Sequence, residues 1–304
     1  MVDFRTLETF LWVATLGSFR GAAARLNTTQ PAVSQRIAQL EDTLGVRLIE
    51  RERRASVPTE KGRELMVYAE RLLRIRAEMI AAVGDRRAMG GLMRLGVPET
   101  IVHTWLPRFV ERLNAAHPRI SLEIEVDISP NLRDRLVAKE IDLAILLGPI
   151  GAPSVRSLPL CSYESGFVAA PGLDLPRDRP ATLAELARQP VITFARNTQP
   201  HGVVRELFAR ADLPVRMHAS ASLATVVRMA LDGIGVAAIP PAIVAREIAE
   251  GRLRRLTCEA VLPDLAFLVC WPESPDTTTA ETVAALAREV AGECVPRSPG
   301  DKDE

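Results

Sequence analysis

Residues 18–45 read SFRGAAARLNTTQPAVSQRIAQLEDTLG, and this stretch decides what the N-terminal part of the chain is. Ser18 is placed to cap a short helix through Leu26, and Asn27-Thr28-Thr29 breaks it. Thr29 then serves as N-cap of a second helix, with Pro31 in its first turn, where no backbone donor is needed. Val33, Ile37, Leu40 and Leu44 recur at helical spacing, and Gly45 ends the element. At about 100° per residue these four side chains fall within about 40° of Val33. Pro31, Gln35, Ala38, Gln39 and Asp42 point the other way, flanked by Ser34 and Arg36. That outward face is rich in amide, hydroxyl and small groups. Gln pairs with adenine edges, Arg with guanine, Ser with bases or phosphates, and Ala meets the thymine methyl. The alternative is a merely solvated face, which favours Lys and Glu over Gln, Ser and Ala. Two helices around a short break have the proportions of a helix-turn-helix.

Upstream, residues 4–16 (FRTLETFLWVATL) set Leu7, Phe10, Leu11 and Ala14 on one helical stripe. Downstream, residues 46–58 (VRLIERERRASVP) predict a small β-hairpin with Arg51, Arg53 and Arg54 clustered at its tip. From Thr59 a long helix is expected to about Val83. Leu65, Tyr68, Leu72, Ile75, Met79 and Ala82 step by three and four along it as a heptad seam, which Met66, Ala69, Leu73 and Ile80 widen. One such helix exposes too much apolar surface alone, so it should pair; burial within the chain's own core is the alternative. Gly84 and then Gly90-Gly91 mark the linker after it.

The stretch from Ser18 to Gly62 resembles the N-terminal signature of the LysR-type transcriptional regulators. The shared features are S-F-x-x-A-A-x-x-L, Q-P-A-V-S on the second helix, L-E-x-x-L-G-V-R-L at its exit, the E-R of the wing, and T-x-x-G opening the long helix. The resemblance implies that Gln30, Pro31, Ser34 and the wing arginines approach DNA. It implies two dimers per tetramer, and a two-lobed effector domain like a periplasmic binding protein. The family often has Arg directly after that Ser; here the position is Gln35 and Arg follows at 36, about 100° further round. The candidate DNA-contacting set is Thr29, Gln30, Pro31, Ser34, Gln35, Arg36, Gln39, Arg51, Arg53 and Arg54.

The rest of the chain alternates strands and helices. LMRLGV (92–97), ISLEIEVDI (120–128) and IDLAILL (141–147) read as strands, with helices over 100–116 and 130–139. A second set follows: GFVAA, VITFA (191–195), a helix from about Pro200, VRMHA (215–219), a helix from about Ser222, and GIGVAAIP (233–240). LAFLVCW (265–271) is a late strand, followed by a helix from about Pro275. Two such sets suggest two α/β lobes around a cleft. Helix starts facing a cleft present free N–H groups to anions. Three starts qualify, carrying Glu99 and Thr100; Ser129 and Asn131; and Arg196, Asn197, Thr198 and Gln199. His103, one turn after Thr100, is a further candidate, and each residue has an ordinary capping or surface role as its alternative. The resemblance implies a small organic acid or a related metabolite as effector. Glu99 would repel an anion unless turned away or paired, which leaves an amine-bearing ligand open.

Composition bounds the reading. With 304 residues and 47% hydrophobic content the chain should form two or three domains. Its net charge is +0, but residues 1–88 hold 15 Lys and Arg against 11 Asp and Glu, leaving 23 against 27 for the remainder. A mildly basic head on a mildly acidic body fits one end facing a polyanion, with a chance imbalance in the counts as the alternative. Cys161, Cys258, Cys270 and Cys294 are scattered, and the four histidines are dispersed, so no metal site is expected. There is no G-x-S-x-G, Walker loop, H-E-x-x-H or G-x-G-x-x-G, so neither an enzyme nor a cofactor is expected. The N-terminus does not read as a signal peptide and no run is long enough to span a membrane, so a cytoplasmic protein is expected.

The fold class expected is therefore an N-terminal all-α, winged helix-turn-helix domain (1–58), a linker and dimerisation helix (59–88), a two-lobed α/β effector domain (89–294) and a flexible tail (295–304). The function expected is a DNA-binding transcriptional regulator switched by a small molecule between the lobes. Its expected partners are an interrupted palindrome of double-stranded DNA, the effector, and further copies of itself as homodimer or homotetramer, with RNA polymerase a further candidate. A cytosolic solute-binding protein, or an α/β enzyme with a helical appendage, is the alternative.

Overall fold

A computed structural model describes residues 2–51, 56–83, 90–152, 154–273 and 278–295. The chain divides into two compact units, Met1–Ala88 with Glu273–Ala280, and Met89–Pro272 with Glu281–Glu304. The first holds helices α1 (Phe4–Leu16), α2 (Phe19–Arg25) and α3 (Gln30–Leu44), strands β1 (Ile49–Arg51) and β2 (Ser56–Pro58), and helix α4 (Glu60–Val83). Side-chain oxygens cap the first three helices: Asp3 accepts from Thr6 N at 2.8 Å, Ser18 from Gly21 N at 3.1 Å and Thr29 from Ala32 N at 3.4 Å. Gly45 closes α3 at φ +70°, a left-handed conformation that side chains resist. Phe10, Leu11 and Val13 pack with Val33, Ile37, Leu40 and Leu48 in one core. The strands pair antiparallel, Ile49 opposite Pro58.

The seam expected along α4 is divided between two faces. Ala69 and Leu73 are buried in the head's core, and Leu65 and Met66 pack against it. Tyr68, Leu72, Ile75 and Met79 are exposed, by 46% to 59%. Met66, Ala69 and Leu73, expected only to widen the seam, thus anchor the helix to its own domain together with the heptad residue Leu65, and the heptad positions Tyr68, Leu72, Ile75 and Met79 stay open. The side chains of Ile80 and Ala82, and Gly84, lie outside the described residues. Gly62 has a specific reason to be glycine, since a Cβ there would stand 2.2 Å from the Leu48 carbonyl oxygen.

The second unit contains two five-stranded sheets. The first lobe is built on strands β3 (Gly90–Val97), β4 (Arg119–Val126), β5 (Leu143–Leu147), β6 (Val155–Tyr163) and β12 (Leu265–Pro272), ordered β4-β3-β5-β12-β6. The second uses β7 (Gly166–Ala169), β8 (Val191–Phe194), β9 (Met217–Ser220), β10 (Val236–Ile239) and β11 (Arg254–Leu256), ordered β11-β7-β10-β8-β9. β3 runs parallel to β4 and β5, whereas β12 is antiparallel to β5 and β6. The second lobe is therefore an insertion between β6 and β12. Around these sheets lie α5 (Glu99–Val102), α6 (Leu106–Ala116), α7 (Ser129–Val137), α8 (Leu183–Ala187), α9 (Gln199–Arg210), α10 (Leu223–Leu231), α11 (Ala245–Ala249) and α12 (Thr278–Cys294). β10 (VAAI) is buried at every position, as its unbroken apolar run requires when both sheet faces are covered.

Several expectations need correction. Gly90 and Gly91 open β3 and are not linker. A Cβ on Gly90 would meet that of Arg119 at 2.6 Å, so glycine lets β4 approach. The helix expected over 100–116 is two helices. It breaks at His103–Trp105, where Pro107 sits in the first turn of the second and its N-cap Trp105 is buried. β6, α8, β11 and α11 were not anticipated. Among the described residues no helix is long and apolar enough to cross a membrane, and no group of His, Cys, Asp and Glu is placed to hold a metal ion.

Candidate nucleic-acid face and ligand pocket

α3 has two sharply different sides. Val33, Ile37 and Leu40 are buried, while Gln30, Pro31, Gln35, Ala38, Gln39 and Asp42 are exposed, with Thr29 exposed at the cap. Ser34 and Arg36 are half-buried at the margins. The predicted outward face is thus at the surface and free of bulky groups. Its C-terminal half is fixed by Glu41, whose Oε1 accepts the backbone N–H groups of Leu48 at 2.8 Å and Ile49 at 3.1 Å. One carboxylate thereby ties α3 to the first wing strand. A groove lies between helix and wing, lined by Ser34, Ala38, Asp42, Val46 and Arg47. Arg47 was not singled out from the sequence; its place in the V-R-L exit from α3 was the available signal. Arg51 ends β1, and Arg53 and Arg54 lie outside the described residues. Arg25 lies over the Trp12 ring, 4.7 Å from its centroid, which fixes α2 against α1.

Between the two lobes of the second unit lies a pocket of about 580 Å³, within the range of small-ligand sites. The first lobe contributes Glu99 and Thr100, the turn 126–130, Arg133 and residues 146–150. The second contributes Phe194, Thr198, Gln199, Pro200 and residues 221–223, while Leu265 and Phe267 project from β12. The lining is mostly apolar. The Glu99 carboxylate crosses the cleft, its Oε2 accepting the backbone N–H of Leu223 at the first residue of α10. The concern that Glu99 would stand free against an anionic ligand is therefore answered, because it is paired.

Of the residues predicted from helix starts, Glu99, Thr100, Ser129, Thr198 and Gln199 line the pocket; His103, Asn131, Arg196 and Asn197 do not. α5 is a single turn of four residues, so His103 caps its C-terminal end and faces solvent. Asn131 donates to both oxygens of Asp127, at 2.9 and 3.0 Å. Arg196 and Asn197 are exposed on the turn that Thr198 closes by donating its N–H to Ala195 O at 3.0 Å. Two of the lining hydroxyls are also engaged. Ser129 Oγ accepts from Leu147 N at 3.0 Å, and Thr198 Oγ1 donates to Ala195 O at 2.6 Å. Arg133, Phe194, Ser222, Leu265 and Phe267 were missed. Ser222 could have been found, since it heads a helix that the sequence predicts; the strand residues carry no local mark.

Three titratable groups of the second unit are held in their neutral forms. Burial pushes the Cys161 thiol up to about 12, so it stays protonated, and burial does the same to Cys270. Burial, then Arg205 and Arg196, hold His201 below its ordinary value and so neutral.

Residues 4–63 match the model of the bacterial regulatory helix-turn-helix protein, lysR family, and residues 86–292 match the LysR substrate binding domain. The HTH-type transcriptional regulator BbuR of Bordetella bronchiseptica is 29% identical over 270 residues, 88% of this chain and 82% of that one. Among solved structures, ArgP from Mycobacterium tuberculosis superposes with a TM-score of 0.64 at 23% identity, covering 98% of this chain and 100% of that one. LysG from Corynebacterium glutamicum, solved with bound effector Arg, gives 0.62 at 20% identity, covering 97% and 100%. The two structural likenesses speak to the fold alone.

Proposed function

The chain belongs to the LysR family of DNA-binding, effector-responsive transcriptional regulators, and we propose from this premise how its parts divide the work. Residues 1–58 form the reading head, 59–88 the pairing helix and 89–294 the sensor. α3 enters the major groove, where Gln30, Ser34, Gln35 and Gln39 meet base edges and Arg36 flanks them. Arg51, Arg53 and Arg54 lie along phosphates, holding the head in register without reading sequence. The exposed stripe of Tyr68, Leu72, Ile75 and Met79 pairs two copies, so that two heads address an interrupted palindrome. The protein works in the cytoplasm, on DNA.

The sensor binds its effector in the 580 Å³ pocket. The effector shifts the balance between two lobe arrangements by binding one of them more tightly. Glu99, Thr100, Ser129, Thr198 and Gln199 are the predicted residues retained in this role.

The observation that carries this reading is the division of α3 into a buried aliphatic side and an exposed amide side. An electrophoretic shift with the DNA upstream of the protein's own coding sequence tests it. About tenfold or greater preference over random duplex is expected, or 1.4 kcal/mol; equal binding removes the reading. Leu72→Glu should abolish pairing and specific binding together, and a dimeric, fully binding variant would remove the pairing role of the seam.

A further inference from the structure

The Glu99–Leu223 contact selects the chemistry of the effector, an inference that rests on the interlobe pocket being the sensor site. A carboxylate of one lobe already sits on a backbone N–H at the start of a helix of the other, a position that favours negative charge. A ligand that separates the two must satisfy both ends. A plain carboxylic acid would take the N–H but leave Glu99 displaced beside a second anion, with Asp127 also in the lining. A plain amine would pair with Glu99 but leave the Leu223 N–H bare in a largely apolar site. Both are costly once the bound ligand covers those groups from water. Arg133 also lines the pocket, but its guanidinium is half-exposed and already bridged to Asp134 at 2.8 Å, so solvent and that carboxylate weaken its pull on an acid.

A zwitterion resolves both ends at once. Its ammonium pairs with Glu99, its carboxylate takes over the Leu223 N–H, and no net charge enters the pocket. The rest of the ligand meets Phe194, Leu265 and Phe267. We infer that the effector is an α-amino acid with an apolar side chain, inserted between the Glu99 carboxylate and the first turn of α10.

The test is calorimetric titration of the full-length protein with Val, Leu, Ile, Met and Phe. Each is run beside its amine lacking the carboxylate and its acid lacking the amino group, for Phe 2-phenylethylamine and 3-phenylpropanoate. At least one amino acid should bind, and each truncated analogue should bind about tenfold or more weakly. Glu99→Gln should weaken the amino acid by a similar factor while strengthening the matching acid, a reversal that simple loss of folding does not produce. If no amino acid binds, or if an acid or amine matches its parent, the inference is overturned. Ala221→Trp, which fills the pocket, separates this failure from failure of the site. An acid or amine that binds the wild type and is lost in Ala221→Trp leaves the pocket as sensor and removes only the zwitterion. A ligand indifferent to Ala221→Trp removes the pocket as well.

Discussion

The outward face of α3 keeps its contact residues apart from the core: Gln35 and Gln39 are exposed while Val33, Ile37 and Leu40 one step round the helix are buried. The interlobe pocket does the reverse. Thr100, Leu223 and Phe267 line it and are each buried to within 3%. In the head, recognition can change without touching stability. In the pocket, lining side chains such as Phe267 also hold a lobe together, so there the two properties change together.

Phe267→Ala is the strongest way to break that comparison. Truncating a buried aromatic should cost about 3–5 kcal/mol, read as a lower urea midpoint, alongside any loss of ligand binding. A variant of unchanged stability would place the pocket lining on the same footing as α3. Glu41→Ala comes next, because it removes the acceptor for two wing amides. About 1–3 kcal/mol of head stability should be lost, with DNA affinity falling even though no base contact is removed.

Gln39→Ala sharpens the other side of the comparison. Unfolding should move by no more than about 0.5 kcal/mol, while discrimination at one base pair drops by about 1–3 kcal/mol. Arg53→Ala should be milder still, flattening the slope of log K against log salt by about 1 with sequence preference unchanged. The smallest effect is expected at Glu185, a half-buried carboxylate held down to about 2, chiefly by Arg179 and then by the Thr182 N–H. Its contribution is complete above the ordinary value of 4.5 and lost as pH falls from there through about 2. Glu185→Gln should make the acid limb of the unfolding curve shallower; an unaltered limb would show that the cap contributes nothing.

The same contrast governs what the sequence discloses. The head was legible because its signals are local. Ser18, Thr29 and Gly45 mark helix ends by their own chemistry, and the period of Val33, Ile37 and Leu40 points α3 inward without help from elsewhere. The lobes were legible as alternating elements but less so in detail. β6 (VRSLPLCSY) mixes polar and apolar residues around Pro159, the mark of an edge strand rather than a buried run. The pocket was legible only where it begins a helix. Phe194, Leu265 and Phe267 become neighbours of Glu99 through sheet order, and nothing in their own surroundings announces it. Glu99 itself drew attention as a charge in the wrong place, and its partner 124 residues away explains it.

The insertion of the second lobe between β6 and β12 reverses the order in which the sensor can be completed. During synthesis, β3 to β6 emerge first, yet their sheet lacks an inner strand until residue 272 has left the ribosome. The strands of the later lobe, from Gly166 to Leu256, are contiguous and can close on themselves earlier. The half that starts first must therefore wait with an open edge for the half that starts second. A chain stopped at residue 264 would keep the younger lobe and forfeit the older.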